Sequence, residues 1–289
     1  MQTAEPTPLA WVETLIRDFL NTCPDNTMGP GTEEKSWDES VLGWARGDDP
    51  VFQEIKANIG DFLWTPEEIF SLTFPDIEVA PEELAVLVWI LPQRSKTKED
   101  NSKEKTFPAD RWTSSRYYGE QANMSLRRHV SKALTDAGHP AVSPMASPLW
   151  GWQTSPSHGI ASNWSERHAA YGCGMGTFGL SDGLITPRGK AHRLGSVVAR
   201  LDVPPAKRPY DTHTAYCLYH ARGTCLKCVA RCPVGAITEK GHDKEACRRY
   251  VYETAGAYIE NRLGLQADAC GLCQTGVPCE SKTPMKLDR

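Results

Sequence analysis

Apolar side chains recur at a helical period from the start of the chain. Leu9, Val12, Leu15, Ile16 and Phe19 share one face, predicting a helix over residues 8–22 that Asn21-Thr22-Cys23-Pro24 stops. Residues 24–48 are rich in Gly, Pro and acid and read as a loop or covering arm. Short helices are predicted over 49–59 and 65–72, the second opening on a capping box with Pro in its first turn, Thr65-Pro66-Glu67-Glu68. Leu84-Ala-Val-Leu-Val-Trp-Ile-Leu91 lacks alternation and ends at Pro92, the pattern of a strand buried on both faces. The charged run 95–106 reads as a solvated loop. Tyr118, Ala122, Leu126, Val130 and Leu134 stand four apart and predict a long helix over 115–137, closed by Gly138. Tyr118 begins its buried face, and Arg127, Arg128 and Lys132 fall off the stripe, toward solvent.

Ala141-Val142 suggests a short strand. The stretch 144–162, rich in Pro and Ser with Trp150 and Trp152, reads as a roof over a pocket or as a packed surface loop. Asn163-Trp-Ser-Glu166 has capping spacing ahead of a short helix over 164–171. Gly172-Cys-Gly-Met-Gly-Thr-Phe-Gly179 then contains G-x-G-x-x-G at Gly174, Gly176 and Gly179. A dinucleotide fingerprint needs a strand before it and a helix after it. Here a helix precedes and the strand-like 183–186 follows, so nicotinamide binding is rejected. The glycines instead allow close backbone approach to something bulky, or a tight turn at positive φ. A strand over 194–201 leads into a proline-rich linker at 203–209. A helical turn over 233–237 and a longer helix over 244–263, with Cys247 in its first turn, follow.

The chain has 289 residues and a net charge of −4, with no basic concentration, so nucleic acid is an unlikely partner on this reading. The N-terminus lacks an export signal, and the longest apolar run is far short of the ~20 residues of a membrane helix. The expectation is a cytoplasmic protein with no membrane association.

Eight of the ten cysteines lie between Cys217 and Cys279. They read C-x7-C-x2-C-x3-C-P, then Cys247, then C-x2-C-x5-C. Ferredoxins use C-x2-C-x2-C-x3-C-P, whose last cysteine crosses to the other cluster. That pattern groups Cys217, Cys225, Cys228 and Cys279 on one [4Fe–4S] cluster and Cys232, Cys247, Cys270 and Cys273 on a second. Zinc also takes paired C-x2-C, but the C-x3-C-P ending and the crosswise count fit iron–sulfur better. Disulfides belong to exported domains. Cys23 and Cys173 read as small buried residues, and His168 and His192 as structural. His213 and His220 flank the first cluster cysteine and could shield it.

The run Ser165-Glu-Arg-His-Ala-Ala-Tyr-Gly-Cys-Gly-Met-Gly-Thr-Phe-Gly-Leu-Ser-Asp-Gly-Leu-Ile-Thr-Pro187, then Arg193-Leu-Gly-Ser-Val-Val198, precedes the eight cysteines. In that order these segments resemble the core shared by epoxyqueuosine reductases and corrinoid reductive dehalogenases, over roughly residues 84–280. The resemblance implies an α/β fold: a nitroreductase-like core followed by a ferredoxin-like module with two [4Fe–4S] clusters. It implies a helical covering region over 1–82, the core over 83–209 and the cluster module over 210–289. A base-off cobalamin between core and module would receive single electrons and reduce a small-molecule substrate, with ferredoxin or flavodoxin as donor. Gly174, Gly176, Gly179, Leu184, Thr186, Gly195 and Ser196 would hold the corrinoid. Tyr118 falls near the dehalogenase proton donor, with Tyr117 one residue away as the alternative and Glu120 on the same helix. Tyr118 also reads as a plain core residue. Leu180 stands where the family has Lys or Arg. The alternatives are an electron-transfer protein and a reductase that activates another protein's corrinoid.

Overall fold

The computed structural model describes residues 7–285. The first half runs α1 (Pro8–Thr22), β1 (Val41–Arg46), α2 (Val51–Ile59), α3 (Pro66–Thr73), β2 (Leu84–Pro92), α4 (Ser95–Lys103) and α5 (Asp110–Asp136). Then come β3 (Ala141–Val142), β4 (Trp152–Ser155), β5 (Gly159–Ser162), α6 (Glu166–Gly172), β6 (Thr177–Phe178), β7 (Leu184–Ile185) and β8 (His192–Arg200). The cysteine region contains α7 (Leu218–Arg222), α8 (Lys227–Ala230), β9 (Ile237–Thr238), β10 (Gly241–His242), α9 (Lys244–Arg249) and α10 (Gly256–Leu263).

A four-stranded sheet in the order β1-β2-β8-β3 carries the core, and its neighbouring pairs are antiparallel. Every residue of β2 is buried, because helices cover both faces. Val86, Val88 and Ile90 pack with α2, α3 and α6, while Ala85, Leu87, Trp89 and Leu91 pack with α1 and α5. An antiparallel sheet thus shows the continuous apolar run usually met in parallel ones. Asn123 of α5 pins that helix to the sheet: it accepts from Trp89 Nε1 and donates to Leu194 O, both at 2.9 Å.

Several expectations are corrected. The arm at 24–48 contains β1, an edge strand whose half-exposed alternation and central Gly43 mask its pattern. Residues 1–82 therefore do more than cover the core: within them β1 joins the sheet, while α1 packs on one face and α2 and α3 on the other. The charged run forms α4, with Thr97, Lys98 and Asn101 buried. The long helix starts at Asp110, five residues early, where Trp112 and Ser115 are already buried. Arg128 and Lys132 are exposed, but Arg127 is 1% exposed, neutralised by carboxylates from two helices. The stretch 144–162 contains the β4–β5 hairpin. Ser165, not Asn163, caps α6, since Asn163 is occupied with Gly151 and Leu149. Pro233–Gly235 is a turn rather than a helix, followed by β9, because Gly235 sits at φ 65°.

Candidate functional site

The eight clustered thiols fall into two groups. Cys217 precedes α7, Cys225 lies in the following loop and Cys228 is in α8. Cys279 reaches them because its segment pairs with the start of β8: Lys190 N donates to Cys279 O at 2.8 Å and Ala191 N to Glu280 O at 3.1 Å. Gly189, at φ +79°, lies so close to the Glu280 backbone that a Cβ would collide with it. These four cysteines line one cavity with apolar Leu180, Ile185, Val277 and Pro278, and Lys190 is its buried cation.

Cys232, Cys247, Cys270 and Cys273 form the second group. Burial pushes the Cys247 thiol up to about 11 and Cys270 to about 12, and the facing thiols of the same group add to both shifts. Metal binding must displace those protons. Among the described residues no three His, Cys, Asp or Glu side chains gather tightly enough to grip a single metal ion. Two sets of four thiols, one around an apolar cavity, have the donor chemistry of iron–sulfur clusters.

Arg231 and Asn101 fasten this region to the core, which explains why α4 buries polar residues. Arg231 Nε donates to Leu272 O and Thr275 O, each at 3.0 Å, and its Nη2 to Asn101 O at 3.0 Å. Asn101 in turn donates to Thr275 Oγ1 at 3.0 Å and to Cys270 O at 3.4 Å. The α4 helix thus braces the loop that carries Cys270 and Cys273.

A second cavity of about 440 Å³ lies between core and cysteine region. Ile55 and Ile59 of α2, Arg167, His168 and Tyr171 of α6, Phe178, and His213 and His220 line it. Gly179 and Leu180 line both cavities and form their common wall. Lys244 closes the rim by donating to His158 O and Ile160 O of the hairpin, at 2.7 and 3.3 Å. His168 Nδ1 lies 2.8 Å from Ser165 Oγ. Burial, with the cations of Arg167 and Lys244, depresses His168 to about 3, so the imidazole is neutral at neutral pH. Tyr171 stacks on Tyr210 at 5.4 Å, and burial raises its phenol.

Of the glycines and neighbours expected to hold a cofactor, Gly179 lines this cavity. Gly174 (φ +75°) is pressed against the Lys207 carbonyl and Gly176 against the Ile185 carbonyl, so protein backbone fills the space their side chains would take. Leu184 is a core residue and Thr186 closes its own turn, its Oγ1 donating to Gly189 O at 2.8 Å. Gly195 gives way to the Trp89 indole, and Ser196 Oγ accepts from Trp164 Nε1 at 3.0 Å. Nor do Tyr118, Tyr117 and Glu120 reach the cavity. Tyr118 lies against Gly29, Tyr117 packs with Trp112 and Ala269, and Glu120 pairs with Arg127 and Arg193. Tyr118, expected to begin the buried face of α5, is only half-buried; Leu126, Val130 and Leu134 are the positions of that stripe packed in the core on the sheet. His192 is structural, its Nε2 3.0 Å from Leu184 O. The residues that sequence reasoning missed are Arg167 and Tyr171. Their signal was the i, i+4 spacing on the helix that leads directly into the glycine turn.

No family model matches the chain. The chain is similar to epoxyqueuosine reductases in sequence and to a reductive dehalogenase in fold. The epoxyqueuosine reductase of Bacillus cereus is 30% identical over 119 residues, covering 39% of this chain and 29% of that protein. The match therefore spans less than a third of the relative's length. A catabolic reductive dehalogenase solved in complex with 3-bromo-4-hydroxybenzoic acid superposes with a TM-score of 0.51 at 14% identity, over 94% of this chain and 37% of that chain. An epoxyqueuosine reductase solved with a tRNA-Tyr stem loop covers 96% of this chain and 68% of that chain, with a TM-score of 0.47 at 16% identity. The resemblance expected from the glycine and cysteine segments is thus met in both sequence and fold.

Proposed function

We propose that this chain is an iron–sulfur reductase that passes single electrons through two [4Fe–4S] clusters to an acceptor in the 440 Å³ cavity. The observation that carries this reading is the common wall: Gly179 and Leu180 separate four grouped thiols from a cavity of ligand-binding size. Cys217, Cys225, Cys228 and Cys279 would hold the cluster beside the cavity, and Cys232, Cys247, Cys270 and Cys273 the one beyond it. The sheet and its helices correspond to the nitroreductase-like core, and the cysteine region to a ferredoxin-like module.

The acceptor we infer is a corrinoid, on the resemblance to cobalamin-dependent reductases. Leu180, Phe178, Ile55 and Ile59 would offer apolar surface to a flat macrocycle. When bound, the corrinoid would supply a cobalt that is reduced one electron at a time. The protein's own residues would exclude water from the floor, and Lys244 would keep the hairpin closed on the rim. Tyr171 replaces Tyr118 as the proton donor in this reading, because it lines the cavity and burial keeps its phenol protonated at neutral pH. Ferredoxin or flavodoxin is the proposed donor and a small molecule the proposed substrate. An epoxyqueuosine-containing stem loop is the second substrate to assay.

The test is anaerobic reconstitution with iron, sulfide and hydroxocobalamin, followed by desalting. We expect one corrinoid retained per chain, and its loss from a variant in which Leu180→Trp fills the wall. Clusters loaded without any retained corrinoid would leave the electron-carrier reading. That second reading is favoured by one observation: Tyr117, Tyr118 and Glu120 do not line the cavity.

A further inference from the structure

Lys190 is the charged side chain other than cysteine that lines the cavity of Cys217, Cys225, Cys228 and Cys279. It is 3% exposed, and its Nζ donates to Ser181 Oγ at 2.8 Å. Among the described residues Lys190 takes part in no ion pair with a carboxylate. The hydroxyl of Ser181 holds the Lys190 ammonium in place at the wall of the thiol cavity. The backbone of the same residue donates to Cys279 O, so the cation and one cysteine share a single anchoring point.

We propose that Lys190 is a positioning cation that raises the reduction potential of the cluster held by Cys217, Cys225, Cys228 and Cys279. The inference rests on the iron–sulfur reading above. Adding one electron to a cluster makes it more negative, and a fixed positive charge in a water-poor cavity stabilises that reduced state more than the oxidised one. The electron comes from the external donor, and Lys190 exchanges no electron or proton in the step.

The experiment is a redox titration of the full chain, reconstituted anaerobically, with dithionite as reductant and electron paramagnetic resonance as readout. Iron and sulfide are measured first, so that failure of the cluster reading is seen as absence of iron in the wild type, which would overturn this inference with it. Lys190→Met keeps length and volume and removes the charge. At the wild-type midpoint its reduced-to-oxidised ratio for one cluster should fall about tenfold, which is 59 mV for a one-electron couple. Lys190→Arg should stay near the wild type. Leu180→Lys adds a second cation to the same cavity wall and should shift the midpoint in the opposite direction. A loaded Lys190→Met protein with both midpoints unchanged overturns the proposal. If Lys190→Met cannot hold iron, an unchanged midpoint in Leu180→Lys overturns it equally.

Discussion

Arg127 Nη2 stands 2.7 Å from Glu166 Oε2, joining the helix on one face of the sheet to the helix on the other. Arg127 also donates to Glu120 Oε1 at 2.8 Å and to Leu194 O at 2.8 Å. Its guanidinium stays ionised: burial opposes the charge, but the two carboxylates raise its pKa above the ordinary arginine value. Burial likewise opposes ionisation of Glu120, yet Arg193, Arg127 and Arg116 hold that carboxyl at about 2. Arg127→Met would strand Glu166 and Glu120 in a buried site. Removing one partner of a buried pair costs about 3–5 kcal/mol. Denaturant unfolding should show that loss, and Glu166→Gln added to Arg127→Met should restore part of it. A change within a few tenths of a kcal/mol would mean that the pair is solvated in solution.

The eight-cysteine assignment predicts close to eight irons and eight acid-labile sulfides per reconstituted chain. Cys232→Ser should damage the cluster that shares Cys247, Cys270 and Cys273 while leaving the signal of the other. Cys23→Ser should not change iron content, since Cys23 is buried behind α1, away from the cysteine region. Metal analysis showing zinc without sulfide would sink the assignment.

Local order was legible wherever one physical cause dominated. The α1 period, the Thr65 capping box and the all-apolar β2 each follow from neighbours in sequence, and the structure has them. What failed was long-range pairing. The α4 run reads as solvated because its compensation, Arg231 and Thr275, lies more than a hundred residues away. Arg127 reads as solvated for the same reason, since Glu166 is 39 residues distant. Cysteine spacing alone groups Cys217, Cys225, Cys228 and Cys279, the four thiols that line one cavity. The cavity between core and cysteine region was not legible, because its walls come from α2, α6, the glycine turn and residues 213–244, whose convergence no local pattern records.

The glycine turn should be required for folding. At Gly176 a Cβ would meet the Ile185 carbonyl and at Gly174 the Lys207 carbonyl, while Gly174 also sits at φ +75°. Gly176→Val should therefore lower the unfolding midpoint and reduce cluster loading together. Loss of corrinoid alone, with stability and clusters intact, would show instead that this turn touches the cofactor.

Acid should weaken the fold in a defined window. Burial depresses His192 to about 4 and His168 to about 3, well under the ordinary value near 6.5. Between about 6.5 and 4 the unfolded chain then binds more protons than the folded one, so stability falls as pH drops through that range. Above 6.5 this contribution is fully present. Glu120, held at about 2, adds a further loss below about 4.5. Unfolding free energies measured at pH 7, 5.5 and 4.5 should decline in that order, and His192→Asn should flatten the slope. Equal stability at all three values would contradict the depressed imidazoles.

The two tyrosines separate the helix that lines the cavity from the helix that resembles a proton-donor position. Tyr118→Phe keeps a ring against Gly29, where the ring leaves no room for a side chain, and removes a hydroxyl that does not line the cavity. Cluster content, corrinoid retention and turnover should therefore stay near wild type. Tyr171→Phe keeps the stacking on Tyr210 but removes a phenol that does line the cavity. General acids of this kind contribute about 10²–10⁴-fold to rate. With either proposed substrate, a small molecule or an epoxyqueuosine stem loop, turnover should fall by a factor in that range. The cluster signals should not change, because the side chain is not among the residues that line the thiol cavity. A large loss in Tyr118→Phe with Tyr171→Phe unaffected would return the acid to α5, and would require that helix to move toward the cavity when the cofactor binds.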